Sequence, residues 1–134
     1  MVSMNPGKAL FQAFVLPAKR RRYVELLDTK RGCEKIRLGL DHFKDLDPRF
    51  CRKAGSAEHN PAEVLRVLKA LGAPSLCTVI SASAELDGRE MPLSDALAEV
   101  IGRGQGTFIS CLTGELAFFE GEGPNERYIC RRAR

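Results

Sequence analysis

The chain has 134 residues, of which 44% are hydrophobic and 28% are charged, and its formal net charge is +4. A chain of this length buries roughly two-thirds of its unfolded surface, which is enough for one core. The composition excludes collagen-like, disordered and low-complexity classes, and the apolar runs are far shorter than the roughly 20 residues of a membrane span. We therefore expect a single domain over residues 1–134, without a membrane segment.

The first half of the chain is predicted to be helical. Residues 61–71 carry the clearest signal, because Asn60 is a typical N-cap, Pro61 suits the first helical position and Gly72 supplies a stop. A helix is expected to begin at Pro17, another to cover residues 29–43, and a short one to cover residues 8–14. Residues 45–60 have the composition of a loop.

The second half of the chain predicts strands. A β-branched run indicates a strand over residues 77–83, and apolar spacing indicates a helix over residues 93–101. Three further strands are expected, over residues 107–111, 116–119 and 127–131, the first two joined by a tight turn at Gly114. The order is strand, helix, strand, strand, strand.

These elements predict an α+β fold. The helical N-terminal half would pack against a small, mostly antiparallel four-stranded sheet in the C-terminal half, with the helices on one face of the sheet. Both halves share one core, so the loop at residues 45–60 joins helices and does not separate domains.

Basic residues are concentrated in the helical half. Residues 1–60 contain 13 Lys and Arg against 7 Asp and Glu, whereas residues 61–134 contain 8 against 10. We expect Glu25 to form an ion pair with Arg21, and Glu34 and Asp41 to form ion pairs with Arg37, because they lie three or four residues apart on a helix. A basic helical surface is a candidate anion or nucleic-acid contact. Its residues are Lys19, Arg20, Arg21, Arg22, Lys30 and Arg37.

The cysteines and histidines predict neither a metal site nor a disulfide framework. Five cysteines lie 18 or more residues apart, and ligands for structural zinc come in closer pairs. Cys51 falls in the predicted loop and is expected to be the most exposed thiol. His42, Cys51 and His59 are the only candidates for a reactive cleft. Reduced thiols and the lack of an export signal predict a cytoplasmic protein.

A glycine-rich segment resembles a phosphate-binding loop in composition only. Gly102, Gly104 and Gly106 follow a predicted helix and precede a strand, whereas phosphate-binding glycines follow a strand and precede a helix. The sequence therefore predicts a helix stop at this place, and no cofactor.

Three functions are compatible with these features. The first is a non-enzymatic protein-binding or regulatory module that docks a partner, or a second copy of itself, through a sheet edge or a groove between helices and sheet. The second is a nucleic-acid-binding protein that uses the basic helices. The third is a small enzyme with a Cys or His residue in a cleft between helices and sheet.

Overall fold

The structure, a computed structural model, describes residues 5–56, 58–123 and 126–132. Within these ranges it contains five α-helices and one six-stranded sheet, so the predicted α+β class is confirmed. The helices are α1 (Pro6–Phe14), α2 (Pro17–Leu26), α3 (Lys30–Gly39), α4 (Pro61–Ala70) and α5 (Leu93–Val100), and a short 3-10 turn, Leu40–His42, follows α3. The strands are β1 (Cys51–Lys53), β2 (Leu76–Ser81), β3 (Glu90–Pro92), β4 (Thr107–Leu112), β5 (Leu116–Glu120) and β6 (Arg127–Arg131).

The sheet is antiparallel throughout, in the order β1-β6-β5-β4-β2-β3. The four predicted strands are present, but the predicted number is wrong because β1 and β3 were not foreseen. Both are edge strands of three residues, which is too short for alternation of polar and apolar residues to be visible. β1 lies inside the segment that was predicted to be loop.

Helices cover both faces of the sheet, so the prediction of helices on one face is wrong. Along β4 and β5 successive side chains point to opposite faces, and all of Leu116–Glu120 is buried. Phe118 packs with α4 and α5, whereas Phe119 packs with α1 and α3. The molecule therefore has three layers, with the sheet in the middle.

Two helices begin at asparagine caps: α4 as predicted, and α1 at Pro6, two residues before its predicted start. The Asn5 side chain accepts a hydrogen bond from the Gly7 amide at 2.8 Å, and the Asn60 side chain accepts one from the Glu63 amide at 3.0 Å. Such caps satisfy amides that have no partner inside the helix. The predicted helix at residues 61–71 is confirmed as α4.

The two glycines of α3 have different environments. A Cβ atom on Gly32 would lie 1.9 Å from the Leu26 carbonyl oxygen, because the end of α2 passes directly against α3 there. A Cβ atom on Gly39 would have no neighbour within 4 Å. Gly32 is therefore required by a backbone contact, and Gly39 is not.

We predict opposite effects for alanine at these two glycines. Alanine is favoured over glycine inside a helix by about 1 kcal/mol, so Gly39→Ala should raise the free energy of unfolding by about 0.5–1 kcal/mol. Gly32→Ala should lower it by about 1–3 kcal/mol, because the backbone of α2 must move. Urea unfolding of the two variants tests this, and destabilisation of both to a similar extent would contradict the contact.

Candidate functional site

Two of the α2 residues predicted as anion contacts form ion pairs with nearby carboxylates. Lys19 Nζ lies 3.0 Å from Asp45 Oδ1, and Arg21 Nε lies 3.0 Å from Glu25 Oε1, which is the pair predicted from helical spacing. Both cations are mainly exposed, so these pairs contribute little to stability. They do reduce the positive charge that α2 presents.

Arg20 is turned towards the core edge. Its Nε donates a hydrogen bond to the Val15 carbonyl at 2.7 Å, and its Nη2 lies 3.0 Å from Asp47 Oδ2. The Arg20 side chain is only 18% exposed, while that of Asp47 is 2% exposed. Arg20 therefore joins α2 to the segment before β1, and it is not presented to a ligand.

The prediction that Arg37 pairs with Glu34 and Asp41 is wrong. Arg37 Nη1 donates to the Ala82 carbonyl at 3.5 Å, and neither Glu34 nor Asp41 forms an ion pair with it. Asp41 instead accepts a hydrogen bond from the Gly106 amide at 2.6 Å. The side chain of Arg37 thus extends towards the sheet and leaves the outer face of α3.

Arg22 shares a pocket with a residue of α3. This α2–α3 pocket has a volume of about 180 Å³. Arg22 and Lys35 line it and form no ion pair within the described ranges, and Lys30 is exposed at the start of α3. The remaining lining residues are Lys19, Tyr23, Leu26, Ile36, Gly39, Phe43 and Asp45.

The Tyr23 hydroxyl in this pocket is already engaged. It lies 2.5 Å from Asp45 Oδ2, and burial together with this hydrogen bond raises the pKa of Tyr23 above its ordinary value. Asp45 therefore binds both Lys19 and Tyr23. The cations of the pocket that remain open to a ligand are Arg22 and Lys35.

The three candidates for a reactive cleft lie in different surroundings. The His42 side chain is 75% exposed, with Nδ1 3.0 Å from Glu122 Oε1. His59 is exposed and lines a small pocket with Glu58 and Arg127. Cys51 lies in β1 and is buried, so the prediction that it is the most exposed thiol is wrong.

The exposed thiol is Cys33, on α3, whereas Cys77, Cys111 and Cys130 are buried. Burial raises the pKa of Cys77 to about 11 and that of Cys111 to about 12. Thiols with such pKa values are almost wholly protonated at neutral pH and react slowly.

The glycine-rich segment after α5 binds carboxylates of the chain itself. The Gly102 amide donates to Glu120 Oε2 at 3.0 Å, and the Gly106 amide donates to Asp41 Oδ1 at 2.6 Å. These amides are therefore occupied by internal acceptors. Their arrangement agrees with the expectation of a helix stop at this place.

A larger groove lies at the β1 edge of the sheet. This β1 groove is bounded by β1, β6 and α4, and its volume is about 420 Å³. Its apolar lining comes from Val67, Ala70, Leu71 and Ile129. Its basic lining comes from Arg49, Arg52 and Arg131, and the remaining lining residues are Pro48, Phe50 and Cys51.

Two of these arginines are held by buried carboxylates. Arg49 Nη2 lies 2.8 Å from Asp47 Oδ2, and Arg52 makes two hydrogen bonds to Glu58, at 2.8 and 2.5 Å. The hydrogen bonds from Arg49 lower the pKa of Asp47, and those from Arg52 lower the pKa of Glu58. Arg131, in contrast, is exposed and forms no ion pair with a described residue.

An aromatic side chain stands beside the groove arginines. The guanidinium of Arg132 lies 4.0 Å from the centroid of the Phe50 ring, and that of Arg49 lies 5.1 Å from it. Stacked arginines of this kind keep donor groups free for a ligand. Nothing in the sequence indicated this site, because Arg49 and Arg131 are brought together only by pairing of β1 with β6.

We predict that Asp47→Asn destabilises the fold in a pH-dependent way. The variant leaves Arg20 and Arg49 without their anionic partner, and the free energy of unfolding at about pH 7 should fall by about 2–4 kcal/mol. Because the pKa of Asp47 is lower in the folded chain, its contribution is present above about pH 4 and is lost as the pH falls.

The difference in the free energy of unfolding between Asp47→Asn and the unaltered chain should therefore become smaller at acidic pH. Urea unfolding at a series of pH values between about 7 and 3 measures it. Asp28→Asn is the matched control, because Asp28 is 57% exposed and pairs with the surface residue Lys8. That change should cost no more than about 0.5 kcal/mol. Equal losses in the free energy of unfolding for both variants would show that the Asp47 carboxylate has no special role in stabilising the fold.

The described part of the chain offers no set of three His, Cys, Asp or Glu side chains arranged to hold a metal ion. None of its helices is both long and apolar enough to cross a bilayer. In comparisons with known proteins, no family model, curated protein or solved structure matches this chain. A function is therefore inferred from the geometry of its own surfaces.

Proposed function

We propose that the chain is a protein-binding module that holds an acidic, partly apolar segment of a partner in the β1 groove. The observation that carries this is the pairing of an apolar lining with a row of arginines in a groove of about 420 Å³. Apolar contact supplies the driving force for such docking, and arginine is among the residues enriched at protein interfaces.

The chemistry of the groove specifies the occupant. Val67, Leu71 and Ile129 suit an aliphatic or aromatic side chain. Arg131 carries a positive charge that no described residue neutralises, and Arg132 is stacked on Phe50. Carboxylates flanking an apolar side chain would meet these arginines, and the guanidinium group binds carboxylates in a bidentate way.

Docking in the groove is a better candidate than pairing along an open sheet edge. The edge strands β1 and β3 have only three residues each, and β3 ends in Pro92. Short, charged edges with proline disfavour addition of another strand. A homodimer through the sheet edge is therefore the weaker form of this proposal, and the cytoplasmic location stays a prediction from the sequence.

We predict that Arg131→Glu weakens binding of an acidic peptide. The probe is a fluorescent peptide with one central Phe flanked by Glu residues, and a second peptide with Lys flanks tests for charge. Reversal of a rim charge should reduce the affinity for the acidic peptide about 5- to 10-fold, because attraction is replaced by repulsion. Fluorescence anisotropy measures the affinity.

Arg89→Glu is the matched control, since Arg89 is also exposed but lies beside β3, at the opposite edge of the sheet. It makes the same change in net charge and should leave the affinity within about twofold. Backbone NMR shifts should change at Val67, Leu71 and Ile129. Shifts confined to other surfaces, or equal losses for both variants, would reject the groove as the docking site.

The α2–α3 pocket supports a second candidate, contact with nucleic acid or another polyanion. Arg22 and Lys35 line one pocket and form no ion pairs within the described part of the chain, and Lys30 and Arg31 are exposed nearby. Of the six predicted contact residues, Lys19, Arg21, Arg22 and Lys30 face solvent, whereas Arg20 and Arg37 are used within the fold.

We predict that Arg22→Glu with Lys35→Glu weakens any salt-sensitive binding of single-stranded DNA and makes it less dependent on salt. Each phosphate contact that is lost should lower the slope of log affinity against log salt by about 0.7. Anisotropy titrations of a labelled oligonucleotide at several salt concentrations provide the measurement. The control is Arg20→Lys, at a position turned inward. No measurable binding by the unaltered chain would remove this candidate.

The third candidate, a small enzyme, has less support from the geometry. His42 contacts Glu122 at an exposed position, His59 lies in another pocket, and Cys51 is buried in β1. A nucleophile needs its base within hydrogen-bond reach, and these side chains do not share such an arrangement.

A further inference from the structure

Two cysteines face one another across the outermost strand pair. Cys51 on β1 is the register partner of Cys130 on β6. Both side chains point to the face covered by α1, where Cys51 Sγ lies 3.7 Å from the Phe14 carbonyl. Two thiols are thus held on the same face of the outermost strand pair.

The hydrogen-bond pattern gives this pair a suitable geometry for a disulfide. The Arg131 amide donates to the Phe50 carbonyl at 2.8 Å, and the Ala54 amide donates to the Arg127 carbonyl at 2.7 Å. Hydrogen-bonded and non-hydrogen-bonded pairs alternate, so Cys51 and Cys130 form a non-hydrogen-bonded pair. The Cα atoms of pairs of this kind are typically about 4.5 Å apart, within the range of about 4.4–6.8 Å found in disulfides.

We propose that Cys51 and Cys130 form a reversible cross-strand disulfide that fastens β1 to β6. Cys51 reacts first, because it lines a pocket of about 210 Å³ that opens on the same face as its thiol. Cys130 is fully buried and resolves the reaction. The oxidant is a peroxide of the hydrogen peroxide class, and a dithiol or glutathione reverses the reaction.

The atoms and electrons of this reaction balance in two steps. The Cys51 sulfur attacks one peroxide oxygen, the O–O bond breaks, and a sulfenic acid and one water are formed. The Cys130 sulfur then attacks the Cys51 sulfur, and the departing hydroxyl takes the Cys130 thiol proton to form a second water. Two electrons pass from the two sulfurs to one peroxide.

A second cysteine pair provides an internal comparison. Continuing the register of Thr78 with Ser110 by one residue places Cys77 of β2 opposite Cys111 of β4. This pair lies beneath α4 and α5. Burial raises the pKa of Cys77 and Cys111, as it does that of Cys130, so the pKa does not distinguish the two pairs. The two pairs share strand geometry, but Cys51 borders a pocket, whereas Cys77 and Cys111 pack with α4 and α5. Cys77 and Cys111 should therefore remain reduced.

The test uses the full-length chain with Cys33→Ser, which removes the exposed thiol and with it disulfides between molecules. After mild hydrogen peroxide treatment, remaining thiols are alkylated in denaturant and peptides are mapped by mass spectrometry. We expect a Cys51–Cys130 link with a mass loss of about 2 Da that dithiothreitol reverses. Cys77 and Cys111 should be alkylated.

Two further measurements follow the consequences. Replacement Cys130→Ser should leave Cys51 as a sulfenic acid that dimedone traps. In the oxidised chain the Ala54 amide, which belongs to the β1–β6 ladder, should exchange with deuterium about tenfold more slowly. Oxidation of Cys51 to a sulfinic acid without a link, or equally fast linkage of Cys77 to Cys111, would overturn the proposal.

The effect on docking rests on the proposed function, whereas the mapping does not. Because Cys51 also lines the β1 groove, oxidation should change the affinity for the acidic peptide at least twofold. A disulfide without any change in affinity would uphold the modification and count against the groove. Binding in the groove without a disulfide would do the reverse.

Discussion

Burial of β4 and β5 on both faces is the constraint on which the rest of the fold depends. Fully burying one Phe side chain contributes about 1.5–3 kcal/mol, and Phe108, Phe118 and Phe119 are all nearly inaccessible to solvent. Because these rings point to both faces, one layer of helices cannot cover them. The chain therefore places α1 and α3 on one side and α4 and α5 on the other. The groove at β1 lies at the edge of the sheet, beside these central strands and α4.

Three buried carboxylates attach the outer segments to this centre. Asp47 binds two arginines before β1, Glu58 binds Arg52 of β1, and Glu120 binds Arg127 of β6 through two hydrogen bonds, at 2.6 and 2.9 Å. Burial of a carboxylate is costly unless it is paired and hydrogen-bonded, and each of these has both kinds of contact. The same contacts orient Arg49 and Arg52 along the groove. The ion pairs that attach the edge of the sheet to the rest of the fold therefore also shape the β1 groove.

Helices and longer strands could be predicted from the sequence because their signals are local. Features formed by residues that are distant in the sequence could not be predicted. α4 could be predicted because Asn60, Pro61 and Gly72 mark its ends, and β4, β5 and β6 because they are rich in β-branched and aromatic residues. β1 and β3 could not be predicted, since three residues carry no period. The sequence did carry one sign of a sheet covered on both faces, the nearly continuous apolar residues of β4 and β5. A strand with one solvated face would instead alternate apolar and polar residues. The β1 groove had no local signal at all.

The position of β1 at the edge explains why binding and thiol chemistry both point to the same end of the sheet. A three-residue strand has few ladder hydrogen bonds, and it pairs only with β6. It therefore depends on side chains for its attachment, and those side chains are arginines, carboxylates and one cysteine rather than large apolar groups. A cross-link from Cys51 to Cys130 would act at one of the two shortest strand pairings of the sheet. At the Cys77 and Cys111 pair a cross-link would add little, because β2 and β4 are already held by the core on one face and by hydrogen bonds along four register pairs.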